Sequence, residues 1–82
     1  MDRDCIFEII KETIIDIMDD ALEDENAITP EASLRGLGAN SIDRMDIIMD
    51  VCDKLGVKIP MTQFATVSNL REMAELFYEH IQ

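Results

Sequence analysis

The chain has 82 residues, 48% of them hydrophobic, and eighteen acidic side chains against seven basic ones give a formal charge of −11. This size allows one domain, expected to occupy residues 1–82, with a single modest core and little room for a deep catalytic cleft. The apolar content argues against disorder. The acidity argues against nucleic acid and anionic membrane as partners, because both are held by cations. Basic patches on other proteins are the natural complement of such a surface.

Residues Arg3 to Leu22 have helical periodicity. Phe7, Ile10, Ile14, Ile17, Met18 and Ala21 recur at spacings of three and four, and Ile6, Ile9 and Ile15 widen that face. Glu8, Lys11, Glu12, Asp16 and Asp19 occupy the opposite face. Asp2 and Asp4 sit where a helix N-terminus favours negative charge. The acidic run Glu23-Asp24-Glu25-Asn26 reads as a solvated turn. It lacks the central glycine and the alternating oxygen ligands of a calcium loop.

From Ala27 to Asn40 no period is sustained. Thr29-Pro30-Glu31 reads as a turn or the start of one short helical turn. Ile28 and Leu34 are the expected anchors of this long loop. Gly36 and Gly38 are expected to let the backbone turn sharply before Ser41.

Ser41 to Leu55 is the second helix, with Asn40 or Ser41 as its cap and Gly56 as a left-handed C-cap. Ile47, Ile48, Val51 and Leu55 make a stripe suited to a core. Ile42, Met45 and Met49 make another, and Asp43, Asp46, Asp50 and Asp53 run beside it. Val57-Lys58-Ile59-Pro60 is extended. Met61 to Ala65 is a short turn or helix with Phe64 inward. Thr66 is expected to cap the last helix, whose buried stripe is Val67, Leu70, Met73, Ala74, Phe77 and Ile81, with Glu72, Glu75 and Glu79 on the wet face.

The fold class is therefore all-α: a four-helix bundle of three main helices and one short third helix. Cys5 and Cys52 have neither metal-ligand spacing nor the density of a disulfide framework, and are expected to be reduced core or half-buried thiols. The N-terminus lacks the pattern of a signal peptide, and no apolar stretch approaches transmembrane length, so a cytoplasmic location is expected.

Catalysis finds few candidates. The lone histidine, His80, is two residues from the C-terminus, and the surroundings of Ser41 are not the strand-to-helix elbow of serine hydrolases. The carboxylates of the second helix have no histidine beside them to make a transition-metal site. Ser41 remains, either as a simple helix cap or as a modified side chain. Glycines precede it, and a phosphodiester on its hydroxyl would be tolerated at a helix N-terminus.

The string Gly38-Ala39-Asn40-Ser41-Ile42-Asp43, followed by Gly56-Val57-Lys58-Ile59-Pro60 and Thr66-Val67-Ser68-Asn69-Leu70, resembles the acyl carrier proteins of fatty-acid and polyketide synthesis over essentially the whole chain. This resemblance implies a non-enzyme with 4′-phosphopantetheine, drawn from coenzyme A, attached to Ser41, the arm's thiol holding acyl groups as thioesters. It implies docking through the second helix, with Ile42, Met45 and Met49 as apolar contacts and Asp43, Asp46, Asp50 and Asp53 as acidic ones. Asn40 stands where fatty-acid carriers typically have aspartate, and Arg44 puts a cation inside the acidic face. With these departures the stretch Gly38 to Met45 looks most like the free-standing donor carriers of polyketide β-branching cassettes.

The expected partners are then a phosphopantetheinyl transferase, an acyltransferase, a ketosynthase-like decarboxylase and an enzyme similar to hydroxymethylglutaryl-CoA synthase, met by a monomeric carrier of acetyl or malonyl groups. The competing readings are a fatty-acid or peptidyl carrier, and a non-covalent acidic helical adaptor in which Ser41 is only a cap and the methionines bind a partner.

Overall fold

Three helices, α1 (Arg3–Met18), α2 (Ser41–Leu55) and α3 (Leu70–Ile81), carry the architecture, and a short 3-10 helix, Met61–Thr66, lies between α2 and α3. The computed structural model describes residues 1–22 and 24–81, with the side chain of residue 20 left out. Among the described residues there is no strand. The all-helical fold expected from periodicity is the one observed.

α1 is the central element and packs against both α2 and α3. Its fully inward side chains are Ile6, Ile10, Ile14 and Met18, a stripe spaced by four, with Thr13 beside it. Phe7 and Ile17 are half-buried and Ala21 is exposed, so the inward face is rotated from the one the spacing suggested. Ile6, expected only to widen that face, belongs to its centre. The helix also ends earlier than Leu22. Asp19 takes a positive φ of 36° after Met18 and its N–H donates to the Ile15 carbonyl, and a 3-10 turn, Asp19–Ala21, follows. No glycine marks this end, which is why pattern alone overran it. Of the expected acidic turn, Glu25–Ala27 is a 3-10 turn capped by Asp24, and Glu23 lies outside the described residues.

The long loop is held down firmly. Ile28, Leu34 and Ala39 are buried. Leu70 and Arg71 donate their backbone N–H groups to the carbonyls of Ala32 and Pro30 at 2.8 and 2.9 Å, tying the loop to the start of α3. Arg71 adds an ion pair to Glu31.

α3 begins four residues after Thr66, which is the last residue of the short helix. Asn69 accepts the Glu72 N–H at 2.8 Å, and the Glu72 carboxylate accepts from the Ser68 N–H and hydroxyl. One orphan donor at the helix end, the Glu72 N–H, is thereby satisfied, and the residue before the cap is tied to the first turn. The Asn-x-x-Glu spacing is a stronger cap than Thr66 offers, and it was present in the sequence. Leu70, Met73, Ala74 and Phe77 are buried, whereas Val67 and Ile81 are half-buried. Phe64 packs on Phe77 with ring centroids 5.4 Å apart, which seats the short helix on α3.

Cys5 is exposed on the first turn of α1 and is not a core thiol; Cys52 is half-buried. The exposure of Cys5 follows from the rotated face, which turns Ile6 inward in its place.

Candidate functional site

The loop leading to Ser41 is a compact hydrogen-bonded turn. Ser33 supplies two acceptors: its hydroxyl takes the Gly36 N–H at 2.9 Å and its carbonyl takes the Leu37 N–H at 3.0 Å. Gly38 and Ala39 donate to the carbonyls of Arg35 and Leu34, each at 3.0 Å. The two glycines expected to free this backbone have different reasons to be glycine. Gly38 has φ 96°, which L side chains adopt rarely, while Gly36 has an ordinary φ but would place a Cβ only 2.9 Å from the Ser33 hydroxyl.

The first turn of α2 then decides what Ser41 can do. Asn40 is the cap: its side chain accepts the Asp43 N–H at 2.8 Å, and Asp43 returns a longer contact to the Asn40 N–H at 3.4 Å. Arg44 N–H bonds the Asn40 carbonyl at 2.9 Å. Ser41 is therefore the first helical residue, exposed, and among the described residues its hydroxyl has no hydrogen-bond partner. Of the orphan N–H groups at this end, those of Ser41 and Ile42 have no acceptor among the described residues. They belong to the positive end of α2, where a helix favours a nearby anion. A serine that only capped would have Asn40's contacts, and it does not.

The expected second-helix stripes separate in space. Ile47, Ile48 and Val51 are buried, with Leu55 half-buried at the end, and Gly56 closes the helix at φ 68°. Ile42, Met45 and Met49 face outward at 68%, 48% and 56% exposure, and Met61 from the short helix adds to the same surface at 38%. Asp46 and Asp53 are exposed and Asp43 and Asp50 half-buried beside them. Arg44 is half-buried, with Nη1 donating to the Ala39 carbonyl at 3.2 Å.

Sequence reasoning passed over two groups near this helix. Lys54 links Asp50, at 3.4 Å, to the buried hydroxyl of Thr13 on α1. Arg35 lines a groove of about 560 Å³ beside Ser41, together with Arg44, Met45, Phe64 and Met61. Only the presence of a cation in a long ordered loop could have pointed to Arg35. His80 lies in the last turn of α3, its ring Nδ1 2.9 Å from the Leu76 carbonyl. Among the described residues no cluster of His, Cys, Asp and Glu could hold a metal ion, and no helix is long and apolar enough to cross a membrane.

The described bundle exposes a serine at the head of an acidic helix, and comparison with known proteins says which class of protein carries this arrangement. The family of the phosphopantetheine attachment site matches residues 11–77. The chain is 37% identical, over its whole length and 98% of the relative, to the polyketide biosynthesis acyl-carrier-protein AcpK of Bacillus subtilis (strain 168). It is 33% identical, over 98% of this chain and 96% of the relative, to the acyl carrier protein of Rubrobacter xylanophilus. An acyl carrier protein homolog of Ureaplasma parvum is 32% identical over 92% of this chain and 87% of its own. The chain belongs to the acyl carrier protein family. It is a carrier and not a catalyst, and its prosthetic group is covalently attached 4′-phosphopantetheine.

Proposed function

We propose that Ser41 bears the phosphopantetheine arm and that residues 1–82 act as one carrier unit, loaded with acetyl or malonyl groups for polyketide biosynthesis. The observation that carries the assignment is the first turn of α2, where Asn40 takes the capping role and the Ser41 hydroxyl is exposed and, among the described residues, without a hydrogen-bond partner. In the loading step Ser41 Oγ attacks the β-phosphorus of coenzyme A. The serine proton passes to a base of the phosphopantetheinyl transferase, and 3′,5′-ADP leaves with the other half of the broken diphosphate. When bound, the arm supplies a thiol that holds acyl groups as thioesters. The chain's own part is to present Ser41 Oγ, offer the Ser41 and Ile42 N–H groups to the phosphodiester, and dock partners.

Docking falls to the outward face of α2. Ile42, Met45 and Met49 form the apolar contact, while Asn40, Asp43, Asp46 and Asp50 ring it with polar and acidic groups, and Arg44 breaks the sign of that ring. Exposed methionines adapt to more than one partner groove. Partners of this surface are the transferase, an acyltransferase, a ketosynthase-like decarboxylase and a β-branching enzyme of the hydroxymethylglutaryl-CoA synthase type. The polyketide assignment is supported by the name of the Bacillus relative, and the β-branching role by the Gly38 to Met45 string. The carrier works in the cytoplasm as a monomer.

Incubation with coenzyme A and a broad-specificity transferase should add one phosphopantetheine by intact mass, and Ser41→Ala should abolish the gain. Retention of the modification in Ser41→Ala, or its absence in the parent, would sink the assignment. The adaptor reading predicts the reverse, with Ser41→Ala harmless and Met45→Asp alone abolishing partner binding.

A further inference from the structure

The groove beside Ser41 has the opposite charge to the surface around it. It opens between α2, the 33–35 turn, the short helix and the start of α3, over a floor that includes Leu34, Ile48 and Phe64. Among its lining residues are Ser41 and two arginines, Arg35 and Arg44, and no carboxylate, in a chain with eighteen acidic residues and seven basic ones. Arg3, Lys54 and Arg71 are engaged with carboxylates, whereas among the described residues neither Arg35 nor Arg44 has an ion pair. Arg44 uses one N–H on the Ala39 carbonyl, which fixes its guanidinium at the groove and leaves its remaining donors available.

Two guanidinium groups without an ion pair among the described residues, over an apolar floor, suit an anion with a short apolar stem. A guanidinium fork matches the two oxygens of a carboxylate, and in a partly enclosed groove the attraction is screened less than on open surface. An anion delivered from Ser41 would arrive at high effective concentration. We propose that Arg35 and Arg44 make this groove a receptor for the terminal carboxylate of a short dicarboxylic acyl group, of the malonyl class, carried on Ser41. The proposal rests on the assignment of the arm to Ser41 and deepens it by choosing the acidic acyl group over its neutral counterpart. The arm's phosphodiester is the other anion near Ser41, so the test separates the two.

The full chain is loaded by transferase from coenzyme A and from two coenzyme A analogues with an amide in place of the thioester, one ending in malonyl and one in neutral acetoacetyl. Intact mass verifies each arm. Failure of the unacylated arm to attach to Ser41 overturns the underlying assignment and the proposal with it. The arginine Nε–H resonances and the thermal midpoint are then compared. The malonyl arm is expected to shift Arg35 and Arg44 and to raise the midpoint by a few degrees over the acetoacetyl arm, as a ligand for the native state does. Arg44→Gln should remove that difference, Arg44→Lys should restore part of it, and Arg35→Gln, an exposed loop change, should reduce it. Equal effects of malonyl and acetoacetyl arms would overturn the proposal. So would a full effect from the unacylated arm, which would make the phosphodiester the bound anion, or a malonyl effect that survives both glutamine variants.

Discussion

Lys54 on α2 donates from Nζ to Oγ1 of Thr13 on α1 at 2.8 Å, and the same hydroxyl donates to the Ile9 carbonyl at 2.8 Å. Among the described residues Thr13 is the one buried polar residue, and it is fully buried. The threonine binds back to its own helix, as mid-helix threonines commonly do. Its second lone pair is left facing α2, where the long lysine reaches it while Asp50 balances the charge from one turn earlier. The contact therefore ties the last turn of α2 to α1.

Thr13→Val keeps the shape and removes the acceptor. Lys54, 39% exposed, then regains water, so the loss should be about 0.5–1.5 kcal/mol, the net worth of one hydrogen bond. Urea unfolding should show a lower midpoint with an unchanged slope. Thr13→Ala should lose more, because it also opens a cavity.

Asn40→Ala removes the acceptor for the Asp43 N–H and should destabilise the chain by about 1 kcal/mol. Asn40→Asp keeps an oxygen in the same place and should leave stability within a few tenths of the parent. Thermal unfolding of the two variants tests this, and equal losses would mean that Asn40 does not act as the cap.

Gly56→Ala isolates a backbone effect. Gly56 has φ 68° and a Cβ there would meet nothing within 4 Å, so the expected loss of about 1 kcal/mol is that of the left-handed conformation alone. Gly36→Ala tests the opposite case. Its φ is ordinary, but the new Cβ would press on the Ser33 hydroxyl and break the bond from the Gly36 N–H. The destabilisation of Gly36→Ala should largely vanish in a Ser33→Ala background, whereas that of Gly56→Ala should persist.

Asp2 caps α1 by accepting the Cys5 N–H at 2.8 Å, and that bond holds its carboxyl below the ordinary 3.8. The folded value lies below the unfolded one, so the carboxylate's contribution is present above about pH 3.8 and is lost as pH falls through the folded value. The same carboxylate pushes the Cys5 thiol above 9.0, through hydrogen bonding first and its charge second. That contribution is complete below 9.0 and disappears as pH rises through the folded value. Asp2→Asn keeps a capping oxygen and removes the charge. At pH near 8 it should speed alkylation of Cys5, because more thiolate is present, and leave Cys52 unchanged, since burial is what raises that thiol. Rates by peptide mapping decide, and an unaltered Cys5 rate would contradict the coupling.

Local interactions made much of this fold legible. The Asn40–Asp43 box, the Gly56 cap and the two stripes of α2 all depend on residues within about one or two turns of each other, and each is found where its spacing puts it. The misreadings occurred where local signals tied or were missing. Asp19 ends α1 with no glycine to announce it, and Thr66 and Asn69 both offer a capping side chain for α3, of which only Asn69 has a glutamate three residues on.

By itself the sequence determined that the chain is a small acidic helical bundle with a serine at the head of an amphipathic helix, since periodicity and capping are properties of neighbouring residues. Tertiary structure decided which side chains those helices bring together. The bond between Thr13 and Lys54 joins positions distant in the chain, and the groove holding Arg35 and Arg44 without a carboxylate is assembled from a loop, α2, the short helix and α3. A charge acquires its role from the groups that approach it in space, and pattern along the chain does not record that approach. Composition alone describes an acidic surface; the folded chain sets Arg35 and Arg44 beside Ser41.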